Sequence, residues 1–260
     1  MTNTTVIKLG GSLLEDATRR SVALRLIVGA WQRGKDLVLV HGGGKKIDAT
    51  LARLGIPKRT HAGLRITDEA TLEVVVSVLA GIVNKSLVAE LSALGIRAAG
   101  ISGSDGNTVM AEIHPPIDGI DLGHVGRVTG SSPTLIRSML NYGMLPVVSS
   151  IAQGHDGALL NVNADTVAAA VAASLGARSL IFLTDVAGFL DENGTLVDLL
   201  TDTDAEARIA GGQVTGGMRP KLEAAVGALR SGVSEVVIAG PENHGDALAG
   251  ETGGTHLVAA

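Results

Sequence analysis

Two hydrophobic periods alternate along this chain, and its first half sets the rhythm. Residues 5–9 (Thr-Val-Ile-Lys-Leu) and 37–40 (Leu-Val-Leu-Val) are short aliphatic runs. Residues 37–40 lack polar alternation, the pattern of a strand buried on both faces in a parallel sheet covered by helices. Between the two runs, residues 19–33 carry apolar positions at helical spacing and stop near Gly34. A second helical stretch, residues 45–54, ends at Gly55-Ile56-Pro57, so the order is βαβα and the class is α/β. Residues 68–94 predict one long helix with Leu72, Val75, Val76, Leu79, Ile82, Val83, Leu87, Leu91 and Leu94 on a single stripe. Its length exceeds that of a typical globular helix, which makes its other faces candidates for a subunit contact. Further strands are predicted at 97–101, 145–150, 178–184 and 235–239, with a hairpin of 109–113 and 123–128 around Pro115-Pro116. Further helices are predicted at 133–141, 164–175, from about 201, and to about 230 after Pro220.

Composition narrows the class without identifying a function. The 260 residues are 45% hydrophobic and contain no cysteine, so disulfides, thiolate metal sites and a cysteine nucleophile are excluded. The same absence fits a reducing, cytoplasmic compartment. Net charge is −5, aromatics are 2%, and no basic stripe occurs, which argues against nucleic acid as a partner. The N-terminal residues lack a basic signal-peptide n-region. The longest run rich in Ala, Val and Leu, residues 167–177, is short and interrupted by Ser174, so no segment is expected to span a membrane. The seven histidines show no metal-ligand spacing, and neither G-x-G-x-x-G, the P-loop pattern nor G-x-S-x-G occurs.

The candidate chemistry sits in turns that follow strands. His41-Gly42-Gly43-Gly44-Lys45 closes the second strand, and its bare backbone suits convergence of amides on an anion at the next helix start. Lys8 stands two residues before Gly10-Gly11. It reads either as a lysine protecting a sheet edge or as a cation reaching an anion held by those glycine amides. Arg65 lies between Gly63 and a helix start that Thr67 or Asp68 can cap; it can clamp a carboxylate or form a surface ion pair. Asn161, Asn163 and Asp165 would share one side of an extended segment, or one of them caps the helix that follows. Asp185 opens a polar turn at a strand C-terminus, where ligands of α/β sheets bind. Lys221 falls in the first turn of its helix, where the macrodipole disfavours a cation unless an anion is bound there. Two anionic groups brought to about 4 Å repel by about 4 kcal/mol at an effective dielectric of 20, and paired lysines with oriented amides would offset this. That is the requirement of phosphoryl transfer.

Lys8-Leu9-Gly10-Gly11, His41-Gly42-Gly43-Gly44, Gly63-Leu64-Arg65, Asn161-Val162-Asn163-Ala164-Asp165, Thr184-Asp185-Val186-Ala187-Gly188, and Gly216-Gly217-Met218 with Lys221 stand in the order seen in the amino acid kinase family. The chain resembles that family over nearly its whole length, and Gly63-Leu64-Arg65 with the Asn161 to Asp165 segment resembles its acetylglutamate branch. The resemblance implies a three-layer αβα sandwich around a mainly parallel open sheet, with an acceptor-binding lobe (1–174) and an ATP-binding lobe (175–260) on one sheet. It implies transfer of phosphate from ATP to the γ-carboxylate of N-acetyl-L-glutamate, with Mg2+ carried on the ATP phosphates. Lys8 and Lys221 would stabilise the phosphoryl group and Asp165 would orient both; Gly10, Gly11 and Gly44 would supply amides. Gly43, Gly44, Arg65, Asn161 and Asn163 would hold the acceptor. Asp185, Val186, Ala187, Gly188, Phe189 and Leu190, with Gln213, Val214 and Thr215, would line the nucleotide pocket. Arginine-inhibited members of that branch share an extra N-terminal helix that builds a hexamer. Few residues precede the first strand here, so the expectation is a homodimer through the long helix and its sheet edge, without arginine feedback. Competing expectations are the same chemistry on N-succinylglutamate or on carrier-bound aminoadipate or glutamate, and a non-catalytic amino acid or nucleotide sensor.

Overall fold

A computed structural model describes residues 3–251 and 253–260; Met1 and Thr2, part of the N-terminal stretch read above, lie outside the described residues. Eight strands form one sheet in the order Leu199–Thr201, Thr255–Val258, Glu235–Ala239, Ser179–Leu183, Thr4–Leu9, Asp36–His41, Leu145–Ser149 and Ala98–Ser102. All neighbouring pairs are parallel except Glu235–Ala239 with Thr255–Val258. Alternation within the apolar strands sorts their side chains to two faces. Val6, Val40, Phe182 and Ile238 enter one core with the helices Ala164–Leu175 and Met218–Arg230. Ile7, Leu39, Ile181 and Val237 enter another with Ala17–Gln32 and the C-terminal part of the long helix. Helices therefore cover both faces, the expected three-layer arrangement.

The long helix, Glu69–Ala93, is capped by Asp68, whose side chain accepts from the Thr71 N–H at 2.9 Å. Its middle, Ser77–Val83, is π-helical, an irregularity frequent at functional sites and not visible in the apolar stripe. The expectation that no segment could span a membrane needs correction. By length and composition this helix qualifies, with a mean hydropathy of 1.8 over eighteen residues. Ser77, Gly81 and Asn84 interrupt its apolar run without lowering the average enough to disqualify it. Val75, Val78, Leu87 and Leu91 nevertheless pack into the domain, and the polar Thr71 and Asn84 are buried there too, so in this fold the helix is a packed layer.

Three features place the site. Leu9 stands in register with both His41 and Leu183, so three strands end at one level. A four-stranded sheet, Leu159–Asn161, Ile151–Gln153, Val109–Ile113 and Gly126–Ser131, flanks that edge, and the hairpin Thr60–His61 with Leu64–Arg65 stands near it. A short helix, Gly11–Glu15, which the apolar pattern did not indicate, follows the first strand directly.

Candidate active site

Lys8 shares the sheet face of Val6, and parity therefore aims it at the helix Ala164–Leu175. Its Nζ lies 2.7 Å from Asp165 Oδ1, and Lys8 and Asp165 are 7% and 4% exposed. Lys221, in the first turn of Met218–Arg230, places its Nζ 3.7 Å from Asp165 Oδ2 and 3.4 Å from the Gly217 carbonyl oxygen. Two ammonium groups thus share one buried carboxylate, and the Asp185 carboxylate also acts on Lys221. Burial pushes the Lys221 amine below its ordinary value and Lys8 adds to that, while Asp165 and Asp185 oppose it. An anion at this point would relieve the repulsion.

Asp165 lies in the first helical turn, not on an extended ledge with Asn161. Asn163 is the helix N-cap, its side-chain oxygen accepting from the Asp165 N–H at 2.7 Å, so the capping alternative holds for Asn163. Asn161 donates through Nδ2 to Thr67 Oγ1 at 3.0 Å. Arg65 donates to Asp48 and, at 3.3 Å, to the Gly44 carbonyl oxygen. Its other terminal nitrogen, Nη1, is buried without a hydrogen-bond partner among the described residues, a donor left for a carboxylate. Asp48 also accepts from Lys58 at 2.7 Å. Burial would raise the Asp48 carboxyl, and bonds from Lys58 and Arg65 hold it below its ordinary value.

Gly10 is required by close approach, since a Cβ there would stand 2.9 Å from the Leu183 carbonyl oxygen that the Gly10 N–H itself bonds at 2.8 Å. Gly11 and Gly44 face open space. Asp185 faces Lys221 and takes hydrogen bonds from Ser12 and Thr184; burial acts to raise it and these contacts lower it further. Ser12 was not singled out from sequence, although it follows the glycine pair directly. Among the nucleotide candidates, Val186, Leu190, Gln213 and Thr215 are exposed, whereas Phe189 and Val214 belong to the core and can offer only backbone. Gly188 packs against Thr255, whose hydroxyl accepts from the Phe189 N–H at 2.7 Å. A cleft of about 1400 Å³, lined by Gly63, Leu64, Asn163, Gly217 and Pro220 among others, opens beside Lys221.

The paired ammonium groups, glycine turns and orphaned Arg65 nitrogen suit anionic substrates such as ATP phosphates and a carboxylate acceptor. Among the described residues no group of three or more His, Asp and Glu side chains could hold a metal.

This fold and site define an α/β phosphotransferase scaffold, and the chain belongs to the amino acid kinase family, whose sequence model matches residues 3–240. It is 42% identical over 244 residues, covering 90% of this chain and 80% of the relative, to a protein of Parvibaculum lavamentivorans named acetylglutamate kinase. Among solved structures, smu.665 of Streptococcus mutans UA159 superposes with a TM-score of 0.86 at 30% identity over the full length of both chains. An N-acetylglutamate synthase from Neisseria gonorrhoeae, complexed with coenzyme A and N-acetyl-glutamate, superposes with a TM-score of 0.85 at 28% identity, covering 99% of this chain and 59% of that one.

Proposed function

We propose that this protein transfers the γ-phosphoryl group of ATP to the γ-carboxylate of N-acetyl-L-glutamate, a step of arginine biosynthesis, in the cytoplasm. The observation that carries the reading is Asp165 held between Lys8 and Lys221 at the strand ends. A sensor would have no need of two lysines on one buried carboxylate. The acceptor carboxyl, with an ordinary pKa of about 4.3, is ionised at neutral pH, so the nucleophile needs no general base. A carboxylate oxygen forms the new bond to phosphorus as the bond to the bridging oxygen of ADP breaks. Lys8 and Lys221 stabilise the charge on the phosphoryl oxygens, and the amides of Gly11 and Gly44 line its path; the Gly10 amide, expected there from sequence, is instead bonded to the Leu183 carbonyl oxygen. Arg65 Nη1 binds the acceptor's α-carboxylate, and Asn161 and Asn163 contact the rest of the acceptor. Residues 1–174 form the acceptor lobe and residues 175–260 the nucleotide lobe, where the backbone and exposed side chains of residues 185–190 and 213–215 hold ATP. Magnesium neutralises phosphate charge when bound.

The test is ATP- and magnesium-dependent hydroxamate formation, with hydroxylamine trapping the acyl phosphate. N-acetyl-L-glutamate should give signal, whereas N-succinyl-L-glutamate, glutamate and aspartate should give little; equal or better turnover of another acceptor would overturn the assignment. Within the same assay, Arg65→Lys should raise the acceptor KM by about 10-fold or more, because a point charge cannot hold Asp48 and a carboxylate together. The ATP KM should not move, and an unchanged acceptor KM would remove Arg65 from the acceptor site. The protein is also proposed to form a homodimer through the long helix, whose Ile82 is 48% exposed. Light scattering should give the mass of two copies of the 26.3 kDa chain; a monomer or a hexamer would exclude that assembly.

A further inference from the structure

The turn that carries Gly43 is held by a chain of polar groups on the face of the sheet opposite Lys8. His41, at the end of its strand, is fully buried. Its Nδ1 lies 2.9 Å from the Gly42 carbonyl oxygen, and its Nε2 lies 3.0 Å from Asn84 Nδ2. Asn84 is also fully buried and directly follows the π-helical segment of the long helix.

Chemistry alone orients these groups. Asn84 Nδ2 is 2.9 Å from the Val147 carbonyl oxygen and 3.3 Å from that of Ile101, and both oxygens can only accept. Asn84 Oδ1 is 3.1 Å from Lys85 Nζ, which can only donate. The amide therefore has one orientation, with Nδ2 donating to His41 Nε2. The imidazole proton must then sit on Nδ1, donated to the Gly42 carbonyl. Nothing in this sequence of donors is reversible without a clash of two donors or two acceptors. Burial favours the neutral ring, Lys85 adds to that effect, and the Gly42 carbonyl opposes it; Asn84 and the strand neighbour Ser149 do not titrate.

The consequence falls on one peptide bond. No cis peptide occurs among the described residues, so the Gly42 carbonyl and the Gly43 N–H point in opposite directions. Tying the carbonyl to His41 turns the Gly43 N–H toward the sheet face of Lys8 and Asp165. The bare backbone passes close to its neighbours on both sides: a Cβ at Gly42 would stand 3.4 Å from Ala164 Cβ, and one at Gly43 would stand 2.9 Å from Leu79 Cδ2. We propose that His41 and Asn84 are positioning residues, and that the donor chain from Lys85 through Asn84 and His41 to Gly42 aims the Gly43 amide at the anionic acceptor. This rests on the glycine turn being part of the acceptor site.

The test pairs kinetics with a direct readout of the imidazole. Long-range 1H–15N correlation of the wild-type protein should show His41 protonated on Nδ1 and bare on Nε2. In His41→Phe, which keeps the ring without its nitrogens, kcat/KM for the acceptor should fall by about 100-fold, as for loss of one aimed amide. In the same variant, the ATP KM should stay within about threefold of wild type. Asn84→Ala should let both tautomers appear and lower kcat/KM in the same direction. An Nε2-protonated His41 in the wild type, or a folded His41→Phe with wild-type kcat/KM, would overturn the proposal. If His41→Phe does not fold, Asn84→Ala decides: an unchanged tautomer together with unchanged kcat/KM would overturn it equally. A wild-type protein inactive on every acceptor would instead strike the proposed function, and the tautomer measurement would still read separately.

Discussion

Lys8→Ala should lower kcat by about 10³-fold or more, the scale of losing a principal charge on a transferring phosphoryl group. The reason lies in how few charges the site holds. Lys8 and Lys221 are the two cations against Asp165, and Lys8 is the nearer, at 2.7 Å against 3.7 Å. Its deletion leaves a buried carboxylate with one distant partner and removes one of the two cations that would face the anion. Stability should fall by about 3 kcal/mol, less than an isolated buried charge would cost where Lys221 can move closer. The Lys221 amine should rise toward its ordinary value, since Lys8 is one of the groups that lowers it. Asp165→Asn should be impaired on a comparable scale, and the double variant should be barely worse than either single one, because groups that act as a unit are not additive. Hydroxamate turnover and thermal melting of the three variants supply the check. A folded Lys8→Ala within about tenfold of wild-type kcat would remove Lys8 from the phosphoryl path.

Local patterns carried the elements that chemistry hangs on. The strand Glu235–Ala239 and the helix Ala164–Leu175 run between the boundaries read from sequence, since each is bounded by turn residues and filled with residues of one period. Lys8 drew attention because a lysine inside an aliphatic run breaks a local rule, and such breaks cluster at functional sites. The long helix was legible in extent but not in its π-helical middle, because Gly81 and Ser77 neither forbid nor demand the extra residue in the turn. Asn84 went unnoticed for a related reason. It interrupts an apolar stripe, where a single polar residue ordinarily faces solvent, and its partners His41, Val147 and Ile101 are brought to it only by the packed sheet. The same holds for Asp48, whose grip on Arg65 joins a helix to a hairpin. Spacing along the chain marks what a turn can do; it does not show which distant side chain holds that turn in place.

Acid should destabilise the protein before its carboxylates begin to titrate, and His41 is the cause. Its pKa falls from 6.5 to about 4 on folding, first because burial disfavours the imidazolium and secondarily because of Lys85. With the folded value below the unfolded one, the unfolded chain binds a proton that the native protein refuses. Stability is therefore full above pH 6.5, declines as pH falls from 6.5 toward 4, and loses about 3 kcal/mol in all. Buried His244, also lowered by burial, works in the same direction. Asp48 and Asp185 are held below 3.8, so their contribution is lost only at lower pH and does not enter this window. Urea unfolding of wild type and His41→Phe at several pH values between 7 and 4.5 separates the histidine from everything else. The wild type should lose stability across that interval, and the variant should retain only the shallower slope left by His244. Identical slopes would mean that native His41 takes up a proton over this interval as readily as the unfolded chain does. In that case its Nε2 would carry a proton facing the donating Nδ2 of Asn84, and the bond that orients the ring toward Gly42 would be lost.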